Sequence, residues 1–262
     1  MDRSERLPQS IASALGISER ASLSRAPQGM TSQVVFVDDG TARLVLKRCR
    51  DARYVDWLRR EHDVLLALAA TSLPIPRVHA YHENVGNDGA VDAGLLMSRV
   101  PGDSLWDVLL QAPPARRSGL FGKLGEALSQ LHATPVPEVL CNKTAWIDRA
   151  LAQARVNLAW CDGSSELLAE LEATHPAFVP EVLIHGDLAL DNVLVDAEGS
   201  MQFIDWAGGG LGDPRYDIAL ALATEPELRL GASDRDAFYA GYGRPPLDEA
   251  TLDWFVRLYE FF

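Results

Sequence analysis

His185-Gly186-Asp187-Leu188-Ala189-Leu190-Asp191-Asn192, followed after Val193-Leu194-Val195 and a turn by Phe203-Ile204-Asp205-Trp206, decides how the rest of the chain is read. An Asp, an Asn in the same loop, and a second Asp beyond a strand can set one carboxylate beside a nucleophilic hydroxyl and two oxygen ligands on Mg²⁺. Phosphoryl transfer needs that constellation. Magnesium takes hard oxygen donors and keeps several waters, so Asn192 and Asp205 plus nucleotide phosphates suffice as ligands. An Asp- and Asn-rich turn between two strands has the same local composition. The decision therefore rests on what stands elsewhere in the chain, and in what order.

Working outward, Val34-Val35-Phe36-Val37 and Leu44-Val45-Leu46-Lys47 flank the turn signal Asp38-Asp39-Gly40 and predict a hairpin. Apolar residues near helical spacing from Tyr54 to Ala70, ended by Thr71-Ser72-Leu73-Pro74, predict a helix. A second strand pair is expected at Val78–Tyr81 and Gly94–Ser98. After Val100-Pro101-Gly102 the pattern turns helical, over 104–111, 116–132, 144–160 and 164–173. A second island of strands, Val182–Ile184, Val193–Val195 and Phe203-Ile204, precedes helical pattern to the end. The expectation is an α+β chain with a small sheet-bearing N-lobe, residues 1–97, and a larger, mainly helical C-lobe, residues 98–262.

Lys47 closes a predicted strand and Glu61 lies on the following predicted helix. Taken singly, both are ordinary solvated groups. In the order Lys47, Glu61, Asp187, Asn192, Asp205 they match the phosphate lysine, its ion-pair partner and the catalytic and metal residues of a kinase. The loop itself resembles the kinase catalytic loop H-R-D-L-x-x-x-N with Gly186 in place of Arg, and Asp205-Trp206-Ala207 stands where kinases have D-F-G. Gln28-Gly29-Met30-Thr31-Ser32-Gln33 precedes the first strand and offers backbone N–H groups to phosphates. Between Asp205 and the next predicted helix there is only Gly208 to Asp217, too short for the activation segment that holds a polypeptide substrate. The acceptor is expected to be small.

Over most of its length the sequence resembles the aminoglycoside phosphotransferase family, and most closely the 3′-phosphorylating members. The resemblance is carried by the residues above and by Leu73-Pro74-Ile75-Pro76-Arg77-Val78, Leu95-Leu96-Met97-Ser98, Leu131-His132, Tyr216-Asp217-Ile218-Ala219 and the terminal Trp254–Phe262. It implies a bilobal protein-kinase-like fold. It also implies Mg²⁺-dependent transfer of the γ-phosphoryl group of ATP or GTP to an aminoglycoside hydroxyl, inactivating the antibiotic. Asp187 would be the catalytic base, Asn192 and Asp205 the Mg²⁺ ligands, and Lys47 a phosphate clamp paired to Glu61. Gly29, Met30 and Thr31 would cover the phosphates. Met97 would sit behind the purine, with the Ser98 carbonyl and Val100 N–H reading its edge, and Asp217 would brace the loop.

Two family positions differ. Gly208 stands where the 3′-phosphotransferases carry Arg, and Tyr259-Glu260 replaces their Asp-Glu pair. Glu260, the chain-terminal carboxylate of Phe262, and Asp162 are left to meet an ammonium group, at a helix C-terminus whose dipole also favours cations. The aromatic residues Trp254, Phe255, Tyr259 and Phe262 fall near helical spacing and read as packing. The departures keep another acceptor in play, such as a macrolide, choline or homoserine, and a nucleotide-binding pseudokinase is a third reading.

Composition sets the outer bounds. With 262 residues, 47% hydrophobic, and a formal net charge of -13, the chain has enough apolar residues for a core and repels nucleic acid and anionic lipid. The acidity suits a cationic substrate and equally suits solubility. No apolar stretch approaches the ~20 residues that span a bilayer, and the first residues lack a signal-peptide core, so a cytoplasmic protein is expected. Cys49, Cys141 and Cys161 read as reduced thiols. A monomer or weak dimer is expected.

Overall fold

The computed structural model describes residues 7–26, 31–86, 89–223 and 227–262. The chain divides into two compact units, Met1–Pro101 and Gly102–Phe262.

The described residues of the first unit form a five-stranded antiparallel sheet, in the order β1-β2-β3-β5-β4, with two helices. Its strands are β1 (Ser22–Arg25), β2 (Gln33–Asp38), β3 (Arg43–Cys49), β4 (Val78–Val85) and β5 (Val91–Ser98). Its helices are α1 (Gln9–Ala14) and α2 (Val55–Leu68). Alternation along β3 decides which side chain goes where. Leu44 and Leu46 point to one face and pack with Val35, Val37 and Leu96 against Ile11 and Leu15 at the first helix. Gly94 on β5 leaves room for that helix, because a methyl there would come within 2.9 Å of the Leu15 side chain. Val45 and Lys47 point to the opposite face, and in register across from them stand Met97 and Leu95. The second helix covers that face: its Glu61 meets Lys47, and its Arg59 and His62 meet Glu83 and Tyr81 of β4.

The hairpin, the second strand pair and α2 stand where hydrophobic patterning put them. The first strand and α1 had no expectation. β1 is an edge strand of largely exposed, mostly polar residues, so it lacks the apolar alternation that marks a strand, and α1 is under two turns long.

The second unit is mainly helical. It comprises β6 (Asp103–Ser104), α3 (Leu105–Gln111), α4 (Pro114–Ala133), α5 (Trp146–Asn157), α6 (Ser165–Thr174), β7 (Val182–Ile184), β8 (Val193–Val195), β9 (Met201–Phe203), β10 (Gly210–Gly212), α7 (Pro214–Leu222), α8 (Ala232–Tyr242) and α9 (Glu249–Tyr259). Leu120, Leu124, Leu128 and Leu131 form the buried stripe of α4. That helix crosses α8 closely: a Cβ on Gly125 would lie 2.1 Å from the Phe238 carbonyl oxygen. The close approach places His132, at the end of α4, against Tyr242 at the end of α8. The predicted strand at Phe203-Ile204 ends at Phe203, because Ile204 turns its N–H to Asn192 O. The glycine-rich connection, read only as a short link, forms β10 and pairs antiparallel with β7.

Among the described residues no helix is long and apolar enough to cross a membrane.

Candidate active site

Asp187 stands at the centre of the second unit's polar constellation. Tyr259 donates its hydroxyl to Asp187 Oδ1 at 2.8 Å, and Asn192 Nδ2 donates to Oδ2 at 3.0 Å and to the Asp187 carbonyl at 2.9 Å. The Asn192 amide nitrogen is thereby committed to Asp187, and its other polar atom is a hard oxygen. Burial pushes the Asp187 carboxyl above its ordinary range, and the nearby Asp205 carboxylate adds to the shift. The Tyr259 hydroxyl is also pushed up, by burial and by the Asp187 charge.

The loop that carries Asp187 is held from behind. Asp217, fully buried on α7, accepts the backbone N–H of His185 at 2.7 Å and of Gly186 at 2.8 Å. Its Oδ2 also meets His132 Nε2 at 3.1 Å, and His132 Nδ1 meets the Tyr242 hydroxyl at 2.7 Å. The tautomer with its proton on Nε2 satisfies both contacts, with Tyr242 donating. His185 is used the same way: Nδ1 accepts the Asp187 N–H, and Nε2 donates to Ile204 O at 2.9 Å. One buried carboxylate thus links α4, α7, α8 and the loop that carries Asp187.

Asp205 is the one non-glycine residue with positive φ among those described, at φ 66 and ψ 68. An Asp in this left-handed conformation is uncommon and costs about 1 kcal/mol or more, and such strain collects at functional sites. A carboxylate from Asp205, an amide oxygen from Asn192 and the mutual repulsion of two carboxylates make a donor set that suits a hard divalent cation. Among the described residues no cluster of three His, Cys, Asp or Glu side chains forms a cage, so a metal at these two residues would complete its shell with water and phosphate oxygens, as Mg²⁺ does.

In the first unit, Lys47 Nζ meets both Glu61 carboxylate oxygens at 2.8 Å. Glu61 is almost wholly buried and the Lys47 side chain mostly so, so each charge depends on the other. Met97 is buried on the Lys47 face of the sheet. Ser98 ends β5, where its N–H donates to Arg77 O and its Oγ accepts the Arg77 N–H, both at 2.8 Å. Val100 follows two residues later, half-buried. Thr31 is exposed just before β2, whereas Gly29 and Met30 lie outside the described residues.

The candidates for meeting a cationic substrate, Asp162, Glu260 and Phe262, are all exposed. The Gly163 N–H donates to Glu260 O at 3.2 Å, which brings the turn carrying Asp162 against the end of α9. Asn157, buried on α5, donates to Phe261 O at 2.7 Å. Trp254 and Phe255 are buried, in keeping with the packing role read for that stripe. Tyr259 departs from it. A hydrophobic stripe counts Tyr as apolar and misses the polar tip, which here reaches Asp187.

The sequence model of the phosphotransferase enzyme family matches residues 22–255. The chain belongs to that family. It is 30% identical over 233 residues to the aminoglycoside 3′-phosphotransferase of Streptomyces fradiae, covering 81% of this chain and 78% of the relative. Among solved structures it resembles a thermostable mutant of aminoglycoside phosphotransferase APH(4)-Ia in ternary complex with ADP and hygromycin B. That match has a TM-score of 0.66 at 20% identity and covers 95% of this chain and 87% of the other. A microcompartment-associated aminopropanol kinase matches at TM-score 0.61 and 21% identity, covering 95% and 85%. At these identities the structural matches establish the fold, which is that of the family. The protein is a small-molecule kinase.

Proposed function

We propose that this phosphotransferase moves the γ-phosphoryl group of ATP or GTP to a hydroxyl of an aminoglycoside. The observation that carries the reading is the Asp187 carboxylate, fixed by Asn192 and Tyr259 beside Asp205, in a chain 30% identical to an aminoglycoside 3′-phosphotransferase. Asp187 accepts the acceptor's hydroxyl proton as the acceptor oxygen bonds to the γ-phosphorus and the nucleoside diphosphate departs. Asn192 and Asp205 hold Mg²⁺, which when bound neutralises charge on the polyphosphate. Lys47, oriented by Glu61, clamps the phosphates, and the backbone ahead of β2 at Thr31 covers them together with Gly29 and Met30. Met97, Ser98 and Val100 receive the base. Glu260 and Asp162 attract the polycation. Fixed dipoles and positioning supply most of the rate.

A second reading keeps the chemistry and changes the acceptor to another small amino alcohol. It is favoured by Tyr259, which sets a neutral phenol against Asp187, and by Gly208, whose packing leaves no space for a side chain.

A nucleotide-coupled assay with kanamycin, neomycin, choline, homoserine and erythromycin separates the readings. Turnover of an aminoglycoside is expected, and silence on both aminoglycosides with turnover of another alcohol overturns the narrower proposal.

A further inference from the structure

Tyr259 bears on which alcohols the site accepts. Its hydroxyl proton goes to Asp187 Oδ1, and Asp187 is the side chain it bonds among the described residues. A phenol oxygen that has donated its proton still has lone pairs to accept with. The inference rests on the reading of Asp187 as the group that receives the acceptor's proton. A reacting hydroxyl must then approach the same carboxylate. Each carboxylate oxygen accepts one donor, Oδ1 from Tyr259 and Oδ2 from Asn192, and keeps a lone pair. The Asn192 amide nitrogen can only donate, whereas a hydroxyl that takes the remaining lone pair of Oδ1 comes beside a phenol oxygen that can accept.

Two donors on one carboxylate oxygen, each about 2.8 Å from it, stand about 4–5 Å apart. That gap is too wide for the reacting hydroxyl to bond the phenol directly. A hydroxyl or amine on the adjacent carbon, about 3 Å from the reacting oxygen in a staggered conformer, bridges it. We propose that Tyr259 is a specificity-determining residue of the acceptor site, selecting alcohols that carry a second donor, an amine or a hydroxyl, on the carbon next to the reacting one. The reacting hydroxyl donates to Asp187 Oδ1 and its neighbour donates to Tyr259 Oη. The ring that delivers the phenol is itself fixed: it packs on Tyr216, which in turn contacts Trp146 and Phe255.

The test compares the wild-type protein with Tyr259→Phe, which keeps the ring and removes the oxygen. Steady-state kinetics are measured with kanamycin A, and with the matched set 1-amino-2-propanol, 1,2-propanediol and 2-propanol, at saturating Mg-ATP. The expected result is a rise of about ten-fold in acceptor KM for the alcohols bearing a neighbouring donor, with the Mg-ATP KM within two-fold. The wild-type preference for 1-amino-2-propanol over 2-propanol then collapses toward unity in the variant. An unchanged acceptor KM with only kcat lowered means that the phenol merely steadies Asp187, and overturns the proposal. An undiminished preference between the matched alcohols overturns it as well. Absence of phosphotransfer by the wild-type protein to every alcohol tested would instead remove the underlying reading of Asp187, and with it this one.

Discussion

Gly186 and Gly208 face each other backbone to backbone: a Cβ on Gly186 would lie 2.2 Å from the Gly208 carbonyl oxygen, and one on Gly208 would lie 2.6 Å from the Gly186 carbonyl carbon. Gly186 also has φ 77, a conformation that costs other residues strain. The two loops that carry Asp187 and Asp205 are therefore in contact because neither has a side chain at that point. Gly208→Ala is expected to part them and lower kcat by about 10²-fold, since displacements near 1 Å have that effect on reacting groups. Steady-state kinetics, with circular dichroism to confirm folding, check this. On this backbone no side chain fits at position 208.

Asp217 accepts three donors in a dry environment. Asp217→Asn retains one acceptor oxygen and turns an N–H₂ group toward another donor, so at least one buried partner is left unmet. Each such loss costs about 1–3 kcal/mol. Denaturant unfolding should show that loss, and Asp217→Ala should cost more than Asp217→Asn.

Asp187 is held in an environment that disfavours its charge, so replacing it should stabilise the metal-free protein. Asp187→Asn keeps both contacts if Tyr259 turns its hydroxyl to accept from the new amide. The sign follows from a folded-state pKa raised above the ordinary 3.8. Below that value both states are protonated and no penalty exists. The penalty grows as pH climbs to the raised folded pKa and is constant above it. Melting curves should therefore show a larger gain for Asp187→Asn at pH 8 than at pH 4, with about 2–4 °C for each kcal/mol.

Lys47 and Glu61 form a largely buried pair, so removing one partner strands the other. Lys47→Ala should destabilise the protein by about 3 kcal/mol and abolish tight nucleotide binding. Calorimetric titration with Mg-ADP and an unfolding curve measure the two effects separately.

Much of this site was legible because its chemistry is ordered along the chain. Lys47, Glu61, Asp187, Asn192 and Asp205 could be read in sequence, and hydrophobic alternation placed the strands and helices that carry Lys47 and Glu61. What stayed hidden depends on contacts between distant residues. The Tyr259–Asp187 bond joins positions 72 residues apart, and Tyr259 sits in an aromatic stripe where helical spacing predicts only packing. The edge strand β1 has little apolar patterning, and β10 is Gly210-Leu211-Gly212, a composition that reads as a loop until β7 supplies its partner. The Gly186–Gly208 contact is likewise invisible one residue at a time.

The central claim is that Asp187 serves phosphoryl transfer and not nucleotide binding. Single-turnover transfer from Mg-ATP to kanamycin, measured for the wild-type protein and Asp187→Asn alongside Mg-ADP affinity, tests it most directly. The account predicts transfer slowed by about 10²- to 10⁴-fold with nucleotide affinity within three-fold. Near-normal transfer by Asp187→Asn would contradict it.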